Sequence, residues 1–158
     1  MKSDIIKVIN KNNFSTSVGI RLGFYVIGYE IIKDHPIIGV GISDVMTSVK
    51  KYSEILPYNF KRLVTMPNVH NDFLQIFISL GIIGIIVYVL IFYNILKIKI
   101  NNIRYKNLPI IFISVFFISS MFENMFHQQF SMLLFTLFIG LFLAINRLEN
   151  EEYSSINQ

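Results

Sequence analysis

The strongest constraint on this chain is a run of 24 residues, from Phe73 to Leu96, that contains no charged side chain. A helix of roughly 20 apolar residues is long enough to cross the hydrocarbon core of a bilayer. Because that core offers no hydrogen-bond partners to the backbone, such segments span it as helices. Two further charge-free runs follow. The sequence therefore predicts an all-α integral membrane protein with about three transmembrane helices, near residues 73–96, 108–122 and 130–145.

Composition supports this class and excludes several others. Charged residues make up 15% of the 158 residues, compared with roughly 25% in typical globular proteins. The chain has no cysteine, which excludes disulfides and thiolate chemistry. It carries no Asp-x-Asp or His-x3-His metal motif, no glycine-rich phosphate loop and no nucleic-acid-binding module. We therefore expect membrane lipids as its surroundings, without a metal, a cofactor or a nucleic-acid partner.

The residues before the first span are more polar. Residues 1–16 resemble a polar N-terminal tail, and residues 17–71 form a partly helical segment. Its apolar pattern from Ser17 to Asp34 predicts a helix, but the charges of Arg21 and Glu30 argue against a membrane span. The following His-Pro-Ile-Ile-Gly-Val-Gly sequence, residues 35–41, predicts a tight turn. We expect its glycines to serve backbone geometry.

The distribution of basic residues predicts the orientation in the membrane. Four Lys or Arg residues lie within residues 97–106, between the first two spans, and such clusters stay in the cytoplasm. Residues 1–70 are then extracytoplasmic, and the acidic tail 147–158 is cytoplasmic. The nine Lys or Arg residues in 1–70 favour the opposite orientation, with this segment in the cytoplasm. However, the rule counts mainly charges close to helix ends. Because seventy polar residues are hard to translocate as a free tail, we expect further transmembrane helices upstream.

His70 and Asn71 stand immediately before the first predicted span. Free backbone N–H groups at a helix start favour an uncharged imidazole, which can accept a proton, and they also attract phosphate. An interfacial histidine bonded to Asn71 or to a loop carbonyl is the simpler interpretation of this dipeptide alone. Arg21 could hold a phosphate or extend toward the membrane surface. Tyr25 lies one turn from Arg21, on the same helix face.

The motif His70-Asn71, nine residues and then Gly81-Ile-Ile-Gly84 resembles the His-Asn-x9-Gly-x-x-Gly signature of the bacterial O-antigen ligase and polymerase family. The Arg21-x-x-x-Tyr25 helix and the Pro-x-x-Gly-x-Gly turn resemble an upstream motif of the same family, although Tyr25 stands where a tryptophan is usual. The resemblance covers about residues 17–145. It implies the C-terminal part of a multi-span, GT-C-like glycosyltransferase.

The resemblance also implies residue roles. His70 is the expected catalytic histidine, and Arg21 is the expected ligand of the diphosphate of an undecaprenyl-diphosphate-linked glycan donor. Tyr25, Asn71, Gly81 and Gly84 support the site, the two glycines by permitting close helix packing. The acceptor is a glycan or a lipid-linked molecule on the outer face of the bacterial cytoplasmic membrane. The alternative hypothesis is a truncated, non-catalytic membrane remnant or packing subunit of such a protein.

Overall fold

The structure is a computed structural model that describes residues 14–156. Every regular element in this range is helical, which confirms the all-α prediction. Two short 3-10 turns, Ile42–Asp44 and Leu63–Thr65, accompany the α-helices. The five α-helices are α1 Ser17–Asp34, α2 Val45–Ile55, α3 Asp72–Leu96, α4 Leu108–Ser120 and α5 Gln129–Ile156.

Helices α3 and α5 are long enough and apolar enough to cross a membrane, whereas α4 is a shorter apolar helix. Helix α5 continues eleven residues beyond its predicted end at Ile145, through the segment predicted as an acidic tail. Two polar side chains of this extension explain the difference. Asn146 Nδ2 donates to Lys99 O at 2.6 Å. Glu149 accepts from the backbone N–H groups of Asn101 and Asn102, at 2.6 and 3.0 Å.

The chain divides into two compact units, Met1–Ile86 and Val87–Gln158. We call their described parts the N-terminal unit (residues 14–86) and the C-terminal unit (residues 87–156). The first thirteen residues of the predicted N-terminal tail lie outside the described residues. Phe14, at the end of that predicted tail, is buried in the N-terminal unit, where its ring lies 4.8 Å from that of Phe60.

The N-terminal unit has an aliphatic core built around α1. Thr16 caps this helix by accepting a hydrogen bond from Gly19 N at 3.1 Å. Gly28 brings α1 close to α3, since a Cβ atom there would lie 2.7 Å from Leu74 Cδ1. The side chains that form the core are less than a tenth exposed: Phe14, Ile20, Phe24, Ile27, Ile31, Val45, Val49, Phe60, Leu63, Val69, Leu74 and Ile78.

Helix α3 is broken at Gly81, whose φ of 62° and ψ of −154° are not helical. The loop of residues 36–41, which we call the Pro-Gly loop, packs its backbone against this break. Gly39 has a φ of 66°, and a Cβ atom on it would lie 2.5 Å from Ile78 O. The expectation that the glycines of this loop serve backbone geometry is confirmed. A 24-residue apolar run thus contains two helical arms.

The C-terminal unit is held together by aromatic rings. The ring centroid of Phe116 lies 4.6 Å from that of Phe135 and 5.2 Å from that of Phe126. Tyr88 and Ser120, both buried, share a hydrogen bond of 2.8 Å between their hydroxyl oxygens. Many large apolar side chains on the helices of this unit are about half exposed. This pattern is typical of helices whose outer faces contact lipid.

Candidate functional site at the start of helix α3

A hydrogen bond between Tyr25 and Asn71 joins helix α1 to the start of helix α3. The Asn71 side-chain N–H donates to the Tyr25 hydroxyl at 2.8 Å, across 46 residues of sequence. The other half of the Asn71 amide, Oδ1, accepts from Leu74 N at 2.9 Å and so caps α3. Asn71 is only 5% exposed. One buried amide therefore fixes both the beginning of α3 and its contact with α1.

His70 is held in an unusual backbone conformation directly before this cap. Its φ is 53°, which makes it a non-glycine residue with positive φ. The backbone N–H of His70 donates to Asn68 Oδ1 at 3.0 Å, an Asx turn that stabilises this conformation. The side chain of His70 is half-buried. Strained backbone of this kind is common at functional sites, where the surrounding structure maintains it.

Asn68 is a site residue that sequence reasoning missed. An asparagine two residues before a histidine is the signal that could have identified it, because Asx turns join a side-chain oxygen to the N–H two residues on. The backbone is thus held by a side-chain hydrogen bond on each side of His70, from Asn68 before it and from Asn71 after it.

Arg21 lies on α1 one turn before Tyr25, and both side chains are exposed. The Tyr25–Asn71 hydrogen bond consequently places the Arg21 helix beside the segment that carries His70. Arg62 approaches the beginning of the same helix, where its Nη1 donates to Ser15 O at 3.0 Å. This contact gives Arg62 a structural role at the start of α1.

Asp72 and Gln75 complete the start of α3. Asn and Asp both cap helices, and the structure assigns this role to Asn71. Asp72 and Gln75 have the spacing of a capping box, but Gln75 Oε1 is buried without a hydrogen-bond donor among the described residues. Asp72 is only 2% exposed. Burial of a carboxyl directly after His70-Asn71 was not anticipated.

Gly81 and Gly84 do not join this polar site. They lie ten and thirteen residues beyond Asn71, roughly 15 and 20 Å along a helix. The expectation that they permit close packing between helices is corrected. A Cβ atom on Gly81 would lie 2.3 Å from Ile37 O of the Pro-Gly loop. A Cβ atom on Gly84 would meet Leu80 Cβ of its own helix at 2.4 Å. Gly28 on α1 does allow two helices to approach, since its Cβ position faces Leu74 and Ile78 on α3.

No group of three or more His, Cys, Asp or Glu side chains within residues 14–156 is arranged to hold a metal ion. Among the described residues, the Tyr25–Asn71 hydrogen bond joins α1, which also carries the exposed Arg21, to the residue that follows the half-buried His70. This polar site lies directly before an apolar helix that is long enough to span a bilayer. The class of protein is therefore a helical membrane protein.

A sequence model of the O-antigen ligase family matches residues 1–89. The matched range contains Arg21, the Pro-Gly loop, His70 and Gly81. The chain therefore belongs to the O-antigen ligase family. This membership agrees with the resemblance inferred from its motifs.

Three curated proteins are similar to parts of the chain. An uncharacterised protein of Haemophilus influenzae is 30% identical over 107 residues, which make up 68% of this chain and 27% of that protein. A Rickettsia felis protein described as a candidate polysaccharide ligase is 38% identical over 73 residues, 46% of this chain and 18% of that protein. A Rickettsia conorii protein with the same description is 36% identical over 77 residues, 48% and 18% respectively. The matches thus span about a quarter or less of each relative.

Proposed function

We propose that the chain is part of a membrane glycosyltransferase of the O-antigen ligase and polymerase type. Its donor is an undecaprenyl-diphosphate-linked oligosaccharide, and its acceptor is a glycan or lipid-linked molecule. The reaction takes place on the outer face of the bacterial cytoplasmic membrane, which the protein crosses several times. Two Rickettsia relatives described as candidate polysaccharide ligases support this class of reaction.

The observation that carries the proposal is the Tyr25–Asn71 hydrogen bond of 2.8 Å. It ties the helix of Arg21 to the residue that follows His70, and so unites two motifs that lie far apart in sequence. A guanidinium group suits a diphosphate because it remains charged and offers several N–H donors to the phosphate oxygens. A histidine suits proton transfer near neutral pH. Arginine and histidine together serve a reaction that deprotonates a hydroxyl and releases a diphosphate.

The proposed chemistry is a single displacement. The acceptor hydroxyl oxygen attacks the anomeric carbon of the donor sugar, and the bond between that carbon and the diphosphate oxygen breaks. His70 takes the hydroxyl proton as general base. Arg21 stabilises the negative charge that develops on the departing undecaprenyl diphosphate. The configuration at the anomeric carbon is inverted.

The remaining site residues act by positioning. Asn68 and Asn71 hold the backbone on each side of His70 through the contacts described above. Tyr25 fixes the distance between α1 and the start of α3. A small displacement of a general base reduces its contribution, because proton transfer requires a hydrogen-bond distance to the acceptor hydroxyl. We therefore assign Tyr25 and Asn71 as positioning residues.

The decisive experiment replaces His70 in the full-length protein and measures glycan transfer in membranes supplied with a labelled undecaprenyl-diphosphate-linked donor. His70→Ala is expected to lower the transfer rate by about 10²- to 10⁴-fold, the usual contribution of a general base. His35→Ala is the matched control, because His35 is an exposed histidine of the same unit. Transfer at the control rate in a normally inserted His70→Ala protein would show that His70 is not the base.

A second variant tests the donor site. Arg21→Lys keeps the positive charge but loses the planar array of donors. We expect it to bind the diphosphate-linked donor more weakly, whereas the acceptor dependence of the rate stays unchanged. Product length distinguishes the two types of activity, since a ligase transfers one preformed glycan and a polymerase yields a ladder of repeats. Equal effects on donor and acceptor would contradict the assignment of Arg21 to the diphosphate.

A further inference from the structure

The tip of the Pro-Gly loop and the residue that follows it expose large apolar side chains. Ile37 is 61% exposed, and Ile38 and Ile42 are each 71% exposed. These values are among the highest for aliphatic residues in the N-terminal unit. Three isoleucines within six residues form an apolar patch whose exposure to water is unfavourable.

The backbone around this patch is paired. Val40 N and Gly41 N donate to Ile78 O and Ser79 O, both at 2.9 Å. In return, the N–H groups after the break donate to the loop. Ile82 N bonds Pro36 O at 2.9 Å, and Ile83 N bonds Ile37 O at 3.4 Å. Four polar groups that the broken helix would otherwise leave unpaired are thereby satisfied, which non-helical backbone requires at the edge of a membrane.

The exposure of α3 rises around the same place, beginning with Leu80, which is 40% exposed. Before the break, Leu74, Ile78 and Ser79 are less than a tenth exposed, because they pack within the N-terminal unit. After the break, Ile82, Ile83 and Ile86 are 44, 50 and 52% exposed. The isoleucines of the loop therefore continue an apolar surface that begins on α3 at Leu80. Charged residues bracket the loop on both sides, Asp34 before it and Asp44 after it.

We propose that the Pro-Gly loop inserts Ile37, Ile38 and Ile42 among the lipid acyl chains of the outer leaflet. The placement in the outer leaflet rests on the orientation given in the proposed function, and it puts the loop beside the break of α3 at Gly81. The lipid bilayer is the occupant that this surface fits, because the patch is continuous with the exposed face of a helix that enters the membrane and is flanked by charges that remain in water.

Tryptophan fluorescence tests this proposal cleanly, because the chain contains no tryptophan of its own. Single-tryptophan variants of the full 158-residue chain are reconstituted into phosphatidylcholine vesicles. Each variant is measured in vesicles with and without bromine on the acyl chains. Ile38→Trp is expected to emit at shorter wavelength and to be quenched severalfold more by brominated lipid than the control. Ile55→Trp is the matched control, since Ile55 is 68% exposed at the end of α2 in the same unit.

Three results would overturn the proposal. The first is quenching of Ile38→Trp by aqueous iodide with no response to brominated lipid. The second is protection from both quenchers, which would show that protein covers the loop. The third is equal quenching of Ile38→Trp and Ile55→Trp by brominated lipid. Ile42→Trp provides a second reporter, and circular dichroism verifies the helix content of each variant. None of these results depends on glycan-transfer activity. Failure of this proposal is therefore distinguishable from failure of the roles proposed for His70 and Arg21, which the transfer assay tests.

Discussion

The two units of the chain use different contacts to hold their helices together. In the N-terminal unit, tightly packed aliphatic side chains form the core, and polar bonds such as Tyr25–Asn71 connect distant segments. In the C-terminal unit, a cluster of phenylalanine rings lies between helices whose outer faces remain apolar. The first arrangement is typical of a protein core in water, and the second is typical of helices in lipid.

This difference has a physical cause. Burial of aliphatic groups stabilises a fold when the alternative is exposure to water. Between helices in a bilayer that driving force is absent, since lipid is as apolar as the side chains. Packing of large rings and a few hydrogen bonds then stabilise the contacts. If this interpretation is correct, equivalent substitutions in the two units have unequal consequences.

The largest difference is expected between two glycines. Gly81→Ala places a Cβ atom 2.3 Å from Ile37 O at a residue with a φ of 62°. Backbone strain alone costs about 1–3 kcal/mol, and displacement of the Pro-Gly loop raises the total to about 4 kcal/mol or more. We expect this variant to lose the structure of the N-terminal unit, detected as a lower unfolding midpoint in detergent.

Gly140→Ala is the corresponding change in the C-terminal unit. Among the described residues, no atom outside the adjoining turns of the helix backbone lies within 4 Å of a Cβ position on Gly140, and alanine is the better helix former by about 1 kcal/mol. We expect unchanged or slightly higher stability. A Gly81→Ala protein as stable as Gly140→Ala would show that the loop and the helix break are not packed as described.

A core substitution in each unit sharpens the comparison. Ile27, at 0% exposure, lies in the aliphatic core, and Ile27→Ala is expected to cost about 3 kcal/mol. Phe116→Ala removes a larger side chain from the aromatic cluster of the C-terminal unit. We nevertheless expect Phe116→Ala to lower the free energy of unfolding less, because lipid can solvate the apolar side chains that removal of the ring exposes. Unfolding in a denaturing detergent measures both. A larger loss for Phe116→Ala would contradict the assignment of the two environments.

The sequence predicted the helices better than the contacts between them. Charge-free runs located α3, α4 and the start of α5 to within about two residues, because the requirement for backbone pairing in lipid leaves little choice. The break in α3 could not be predicted in the same way. Gly81 lies in an uninterrupted apolar run, and the loop that pairs with the break is some forty residues earlier in the chain.

Polar side chains explain the other differences. Glu149 was predicted to belong to the tail and Asn146 to follow the end of the third span, but both bind the backbone of residues 99–102 and extend α5. The partner of Asn71 could not be predicted from spacing either, since Tyr25 is 46 residues away. His70 and Arg21 were selected by the resemblance of their motifs to a family, and their roles stay predictions.

A smaller effect is expected from Tyr52 in the N-terminal unit. Its hydroxyl donates to the Asp34 carboxylate. This hydrogen bond, followed by burial and the negative charges of Asp34 and Glu30, raises the pKa of Tyr52 from 10.0 to about 12. Because folding raises the pKa, the stabilisation is complete below pH 10.0 and is lost as the pH rises to about 12. We expect Tyr52→Phe to cost about 1 kcal/mol at neutral pH.

The pH dependence separates this hydrogen bond from general alkaline unfolding. The unfolding midpoints of the wild type and Tyr52→Phe are compared at about pH 8 and about pH 11. The difference between the two unfolding midpoints should shrink at the higher pH. The wild type loses there the Tyr52–Asp34 hydrogen bond, which Tyr52→Phe cannot form at any pH. A difference that stays constant would show that Tyr52 does not ionise in this range.

The smallest effect is expected from the hydrogen bond within the C-terminal unit. Tyr88→Phe removes the partner of Ser120, but Ser120 Oγ still donates to Phe117 O at 2.7 Å. Hydrogen bonds between helices in a membrane contribute about 0.6 kcal/mol on average. A double-mutant cycle with Ser120→Ala isolates the coupling, and each single variant keeps the surrounding rings. A coupling above about 2 kcal/mol would exceed what such bonds contribute in lipid. It would mean that polar contacts, rather than aromatic packing, hold the C-terminal unit together.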